Sequence, residues 1–205
     1  MNRVWAFLLI ILSISAASAA DKDKKEFKVD PASSYANKQT QNKVTIAAVP
    51  YVNDDELKAT FGKKNPYQYG FVPILVVVQN DSGNALRLNL KAEYVDADGR
   101  HIEAIPPSEL QYRASSPRRN DTGGPIPLPS GPIGRRSKKN PLSGWEIEGL
   151  AFNAHMLPAN ESVHGFFYFQ VRPEPGASLY LTGINEASSG REFFYFEIPL
   201  DAGPK

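Results

Sequence analysis

From residue 86 to residue 94 the chain alternates without a break. Leu86, Leu88, Leu90, Ala92 and Tyr94 are apolar, and Arg87, Asn89, Lys91 and Glu93 are polar. A two-residue period sends one set to a core and the other to water, which predicts a half-buried strand and excludes a helix. Upstream, FVPILVVVQ (71–79) lacks the polar set and is rich in β-branched residues, as a central strand covered on both faces would be. Asn80-Asp81-Ser82-Gly83-Asn84 supplies turn chemistry between these two strands. Asp96-Ala97-Asp98-Gly99 makes the next turn, after which Arg100 to Ile105 can return as a short strand.

The C-terminal half repeats this pattern with heavier residues. Val163 to Val171, Ser178 to Ile184 and Arg191 to Leu200 are predicted strands, divided by Pro173-Glu174-Pro175-Gly176 and Ala187-Ser188-Ser189-Gly190. Val44 to Val49 adds an earlier strand. Residues 150–156 fit either a strand, through Leu150, Phe152, Ala154 and Met156, or a helix face, and Pro158 ends the element in both cases. Asn53 followed by Glu56 resembles a capping box and predicts one or two helical turns over 54–61. The expectation is an all-β chain, a β-sandwich of about seven or eight strands.

Two segments fall outside that rhythm. Arg3, the apolar run Val4 to Ile14 and the small residues Ser15 to Ala20 have the three parts of a signal peptide, so 1–20 is expected to be removed on export. The apolar run is too short to span a bilayer, and no later stretch approaches that length. A periplasmic or secreted protein with no membrane span after signal removal is expected. Residues 21–43 are polar with isolated Phe27, Val29 and Tyr35 and read as a flexible lead-in, leaving 44–205 as one sandwich domain.

The second irregular segment is 113–141, a proline- and glycine-rich stretch that precludes regular structure and reads as a disordered or extended insertion loop. Charge makes it more distinctive. The 205 residues hold 23 basic and 22 acidic side chains, a near balance that argues against nucleic acid as a partner. Yet the insertion has seven basic residues against one acid (+6), the lead-in six against four (+2), and the remaining 44–112 and 142–205 nine against seventeen (−8). An acidic body thus carries a basic loop. Arginine offers planar forked donors to carboxylates and phosphates, so Arg118, Arg119, Arg135 and Arg136, with Lys138 and Lys139, are the candidate binding residues.

The strings ILVVVQNDSGNALRLNLKAEYVDADGR and LPANESVHGFFYFQV resemble bacterial exported immunoglobulin-like domains of uncharacterised function. In those, a buried strand ends in Asn and a polar turn, and the next strand leads to an Asp-Gly turn. The resemblance covers about 44–111 and 145–200 and implies an immunoglobulin-like sandwich in an envelope or secreted setting. It carries over no catalytic or binding residue.

Catalytic chemistry finds little support. The chain has no cysteine, which removes disulfides, thiolate metal sites and thiol nucleophiles. His101, His155 and His164 are not spaced as metal ligands, and the Asp-rich turn at 96–99 lacks an acid at the twelfth position of a calcium loop. Glu146 and Glu148 would share a face if 146–150 were a strand, as a carboxylate pair for glycoside chemistry requires. Asn80, Asn120 and Asn160 head glycosylation-type triplets, but two of them sit where turns need Asn. Two aromatic runs, Phe166 to Phe169 and Phe193 to Phe196, must give one face to a core. Their other face is either covered, for instance by 113–141, or open to a ligand. The expectation is a non-catalytic binding or accessory module of the cell envelope with no cofactor, contacting an anionic or protein partner. An envelope hydrolase, or a structural component of an envelope assembly, are the alternatives.

Overall fold

Every residue from Val72 to Val78 is buried, because this strand has apolar neighbours on both sides. The structure, a computed structural model, describes residues 27–115, 142, 145–193 and 195–201. In chain order the strands are β1 (Lys38–Gln41), β2 (Val44–Pro50), β3 (Val72–Asn80), β4 (Leu86–Val95), β5 (His101–Glu103), β6 (Met156–Leu157), β7 (Glu161–Phe169), β8 (Ser178–Glu186), β9 (Glu192–Phe193) and β10 (Phe196–Pro199). The helices are α1 (Asp54–Phe61), α2 (Pro107–Ser115) and α3 (Trp145–Gly149). One antiparallel sheet has the order β1-β2-β3-β7. The other runs β10-β8-β4-β5, with β6 also beside β4 and β9 beside β8. The chain is therefore mostly β and packs as a two-sheet sandwich.

The period of β3 explains its composition. Ile74, Val76 and Val78 point into the space between the sheets, where they meet Leu86, Leu88, Leu179, Leu181, Phe196 and Ile198. Leu75 and Val77 point the other way, into a second core beneath the helices. Fully burying one such side chain is worth roughly 1.5–3 kcal/mol, so a strand serving two cores has no use for a polar position. Pro73 is tolerated because it lies near the start of the strand, where its carbonyl still accepts the Tyr51 N–H at 2.9 Å.

The alternation of β4 holds with one correction. Leu86, Leu88, Ala92 and Tyr94 are buried, but Leu90 is only half-buried. A bulge shifts the pairing with β8 between Leu88 and Lys91, and beside it Leu90 still packs against the inter-sheet core but is not fully enclosed. Across the bulge Gly183 has φ +87°, and a Cβ there would lie 2.1 Å from the Asn89 carbonyl oxygen. Only glycine fits.

Three expectations about the edges of the domain change. The polar stretch 38–41 is a strand, not part of a flexible lead-in, and Ala32 and Tyr35 before it are buried. Its amide side chains bind the neighbouring sheet: Gln39 accepts from the Glu197 N–H at 2.6 Å, and Gln41 donates to the Tyr195 carbonyl at 2.7 Å. Polarity here covers the backbone of an edge strand, a use that composition alone does not disclose. Residues 113–115 belong to α2, so the insertion begins later than the prolines and basic residues suggest. The run 191–200 is broken into β9 and β10, and Phe193 and Phe196, three apart, both enter the inter-sheet core.

The helix at 54–61 forms as expected. Asn53 caps it by accepting the Asp55 N–H at 2.8 Å, and Gly62 at φ +62° ends it. Together α1, α2 and α3 cover the outer face of β3 and β7 with Leu57, Phe61, Leu110 and Ile147, joined by Leu142. The outer face of Phe166 and Tyr168 is thus covered by helices. Among the described residues no helix is long and apolar enough to cross a membrane.

Candidate functional site

Beyond β7 no further described strand continues the first sheet. Two crossings that carry the chain to and from the helices touch its outer edge instead. On the way to α2, the Ile105 N–H donates to the Tyr168 carbonyl at 2.7 Å. On the way back from α3, the Phe166 N–H donates to the Leu150 carbonyl at 2.8 Å and the Phe152 N–H to the Phe166 carbonyl at 3.0 Å. This second crossing lies so close to β7 that a Cβ on Gly165 would sit 2.4 Å from the Phe152 Cα.

Between these crossings the sandwich stays open towards β4 and β5, leaving a cleft of about 350 Å³. Leu90, Ala92, Ala104, Phe152 and Phe167 supply apolar lining, and the Phe152 and Phe167 rings stack with centroids 5.4 Å and planes 14° apart. Lys91, Glu93 and Glu103 stand at its rim, with the Glu93 carboxylate turned to His101 on the outer face of the sheet. Glu93 and Glu103 face each other in register across β4 and β5, a like-charge pairing that sheets ordinarily avoid. One Glu93 oxygen is engaged by His101 Nδ1 at 2.6 Å, whereas Glu103 makes no ion pair among the described residues. The β4 edge is also bare here. Strand β6 pairs with Leu86 and Arg87 and β5 with Glu93 to Val95, so Asn89 to Lys91 has no strand on the side away from β8. A concave, largely apolar cavity with a few charged groups is the usual form of a small binding site.

The candidate binding residues Arg118, Arg119, Arg135, Arg136, Lys138 and Lys139 lie outside the described residues. So do Ile126, Leu128 and Ile133 of the same insertion. Its two roots are described. Arg113, at the end of α2, pairs with Glu109 at 3.1 Å, an exposed i,i+4 contact, and Leu142 is buried in the second core. The residues that open the way to those roots, Pro106 and Pro107 at the start of α2 and Ala151 and Phe152 after α3, also line the cleft.

The remaining candidates resolve into structural roles. Glu146 and Glu148 fall on α3, where residues two apart diverge, and Glu146 pairs with Lys64 at 3.2 Å. The strand-borne carboxylate pair is therefore not formed. His101 and His164 stand on different sheets, and no group of three or more possible metal ligands occurs among the described residues. His164 packs edge-on to Phe27 at 5.9 Å, and partial burial lowers its pKa below the usual histidine value.

Asp96 closes its turn by accepting from the Arg100 N–H at 2.9 Å and the Asp98 N–H at 3.0 Å, and it pairs with the Arg100 guanidinium at 2.7 Å. The Arg100 backbone bond is the main reason its carboxyl titrates below the ordinary range. Asn80 is wholly buried and donates to the Asn84 and Pro158 carbonyls at 2.7 and 2.9 Å, which makes it a knot between two turns and no glycan acceptor. Tyr168 donates to the Ile147 carbonyl at 2.8 Å, and burial raises its pKa far above that of a free phenol. That bond fastens α3 to β7.

The cleft was not visible in sequence. Leu90 and Phe167 sit at positions that alternation assigns to a closed core, and only the Pro-Pro step at 106–107 hints that the chain leaves the sheet there. No protein-family model matches the chain, and no curated protein or solved structure matches it.

Proposed function

We propose that this protein is an exported, immunoglobulin-like binding module of the cell envelope, periplasmic or secreted, which holds an anionic or protein partner through its basic insertion. Strand order favours the immunoglobulin-like assignment. On this reading β2-β3-β7 would correspond to strands A, B and E and β10-β8-β4-β5 to G, F, C and C′, with β1 an added edge strand. The strand that would follow E at the sheet edge is replaced by the helical excursion from which the insertion springs.

One observation carries the functional reading. The aromatic face of β7 is already covered by Leu57, Phe61, Leu110, Leu142 and Ile147, so the core does not require Ile126, Leu128 or Ile133 as a lid. With that face covered by described residues, a segment of +6 beside an acidic body of −8 is best employed in contact with something else.

The test is a double one. Replacing 116–141 by a short Gly-Ser connection should leave the melting transition nearly unchanged, since loop closure varies by only about 0.6 kcal/mol per doubling of length. A variant with Arg118, Arg119, Arg135, Arg136, Lys138 and Lys139 changed to Gln should lose salt-sensitive partners in crosslinking on intact cells. A sharp loss of melting temperature on deletion, or an unchanged set of crosslinked partners, rejects the reading.

A further inference from the structure

We infer that the cleft between the crossings receives an extended peptide segment, which lies along the bare stretch Asn89–Lys91 of β4 with an apolar side chain in the cavity and a basic one towards Glu103. The inference rests on the reading of the protein as a binding module and assigns it a second, separate site with its own ligand class.

Three features of the cleft agree on that occupant. First, the outer edge of β4 has a gap in its partners. β6 stops at Arg87, and β5 starts at Glu93. Extended peptides add to a sheet where an edge is free, with main-chain bonds giving affinity and a pocket for alternate side chains giving choice. Second, the pocket lies at that gap. Leu90, half-buried beside the bulge, and the stacked Phe152 and Phe167 rings offer apolar surface, and a volume of about 350 Å³ accommodates a side chain with the backbone beside it. Third, the charges are complementary to a basic residue. Glu103 is exposed and has no ion-pair partner among the described residues, and Glu93 lies directly across from it with one oxygen taken by His101. Lys91, on the same strand, sets the direction by repelling a basic residue at the other end of the gap. An acidic or purely apolar segment would leave the two facing carboxylates unrelieved.

The full mature protein would be titrated by fluorescence anisotropy with a labelled octapeptide of alternating Lys and Val. Controls are an alternating Glu and Val peptide and a Lys-Val peptide N-methylated at its central residues. The Lys-Val peptide should saturate, weaken with added salt, and beat both controls by about tenfold or more, which corresponds to about 1.4 kcal/mol. Glu103→Lys, at an exposed position, should weaken it about fivefold or more. Leu90→Trp, filling the cavity from a half-buried position, should abolish binding while the melting curve stays cooperative.

Equal binding of the Lys and Glu peptides, equal binding of the N-methylated peptide, or indifference to Glu103→Lys overturns the proposal. If Leu90→Trp fails to fold, Glu103→Lys and the N-methylated probe still decide. Deleting 116–141 should leave peptide binding intact. A protein whose insertion holds its partner but whose cleft ignores the peptide refutes this site alone, and the converse refutes the insertion alone.

Discussion

The two sheets treat their outer faces in opposite ways. The first sheet buries its outer face under three helices, with Phe166 and Tyr168 almost fully enclosed. The second leaves its outer face in water, where Tyr180 and Tyr195 stack at 5.1 Å, His101 meets Tyr180 edge-on at 5.4 Å and Glu93 binds His101. The difference follows from side-chain period. β4 and β8 alternate, so one face can be wet. β3 and the second half of β7 are apolar on both faces, so a cover is obligatory. Aromatic residues occur on both outer faces, and only those beneath the helices contribute to a core.

Substitutions can break that comparison. The largest effect is expected at Phe166. Phe166→Ala should cost about 3–5 kcal/mol in denaturant melts, whereas Tyr180→Ala on the open face should stay near 0.5 kcal/mol. Similar costs at the two positions would mean that the helices do not form a true second core. Next comes the bulge. Leu88→Ala should lose about 2–5 kcal/mol, and Leu90→Ala distinctly less, because Leu90 lines the cleft. Equal losses would place Leu90 in a closed core.

A smaller effect tests how the cover is fastened. Tyr168→Phe removes only the bond to the Ile147 carbonyl and should cost about 1–2 kcal/mol. Amide exchange should rise in α3 ahead of the sheets. Uniform exchange would show that α3 is held by packing alone. The smallest effect is pH-dependent. The folded state lowers the pKa of His164, so the unfolded chain binds the proton more readily. Its contribution is complete above the unfolded value of about 6.5 and is lost as pH falls through the lower folded value. His164→Gln should flatten stability against pH in that window, and an unchanged slope would assign the slope to other groups.

Much of the fold was legible because period-two patterning is a local consequence of chain geometry. Leu86 to Tyr94, the β-branched run in β3, the Asp96–Gly99 turn and the capped helix at Asn53 follow from residues within a few positions of one another. The sequence by itself also establishes the charge contrast between body and insertion, since counting needs no coordinates.

What only the tertiary structure decided depends on residues far apart in the chain. Gln39 and Gln41 look like solvated polar residues until β10 is placed beside them. The bulge beside Leu90 arises opposite Gly183, nearly a hundred positions later. Residues 113–115 read as the start of a loop but end a helix, because β7 presents Phe166 and Tyr168 for Leu110 to cover. The cleft exists only where Ile105 and Phe152, brought from separate crossings, meet the edge of β7. Local pattern determines which faces must be buried, but long-range packing decides what buries them and where a gap is left.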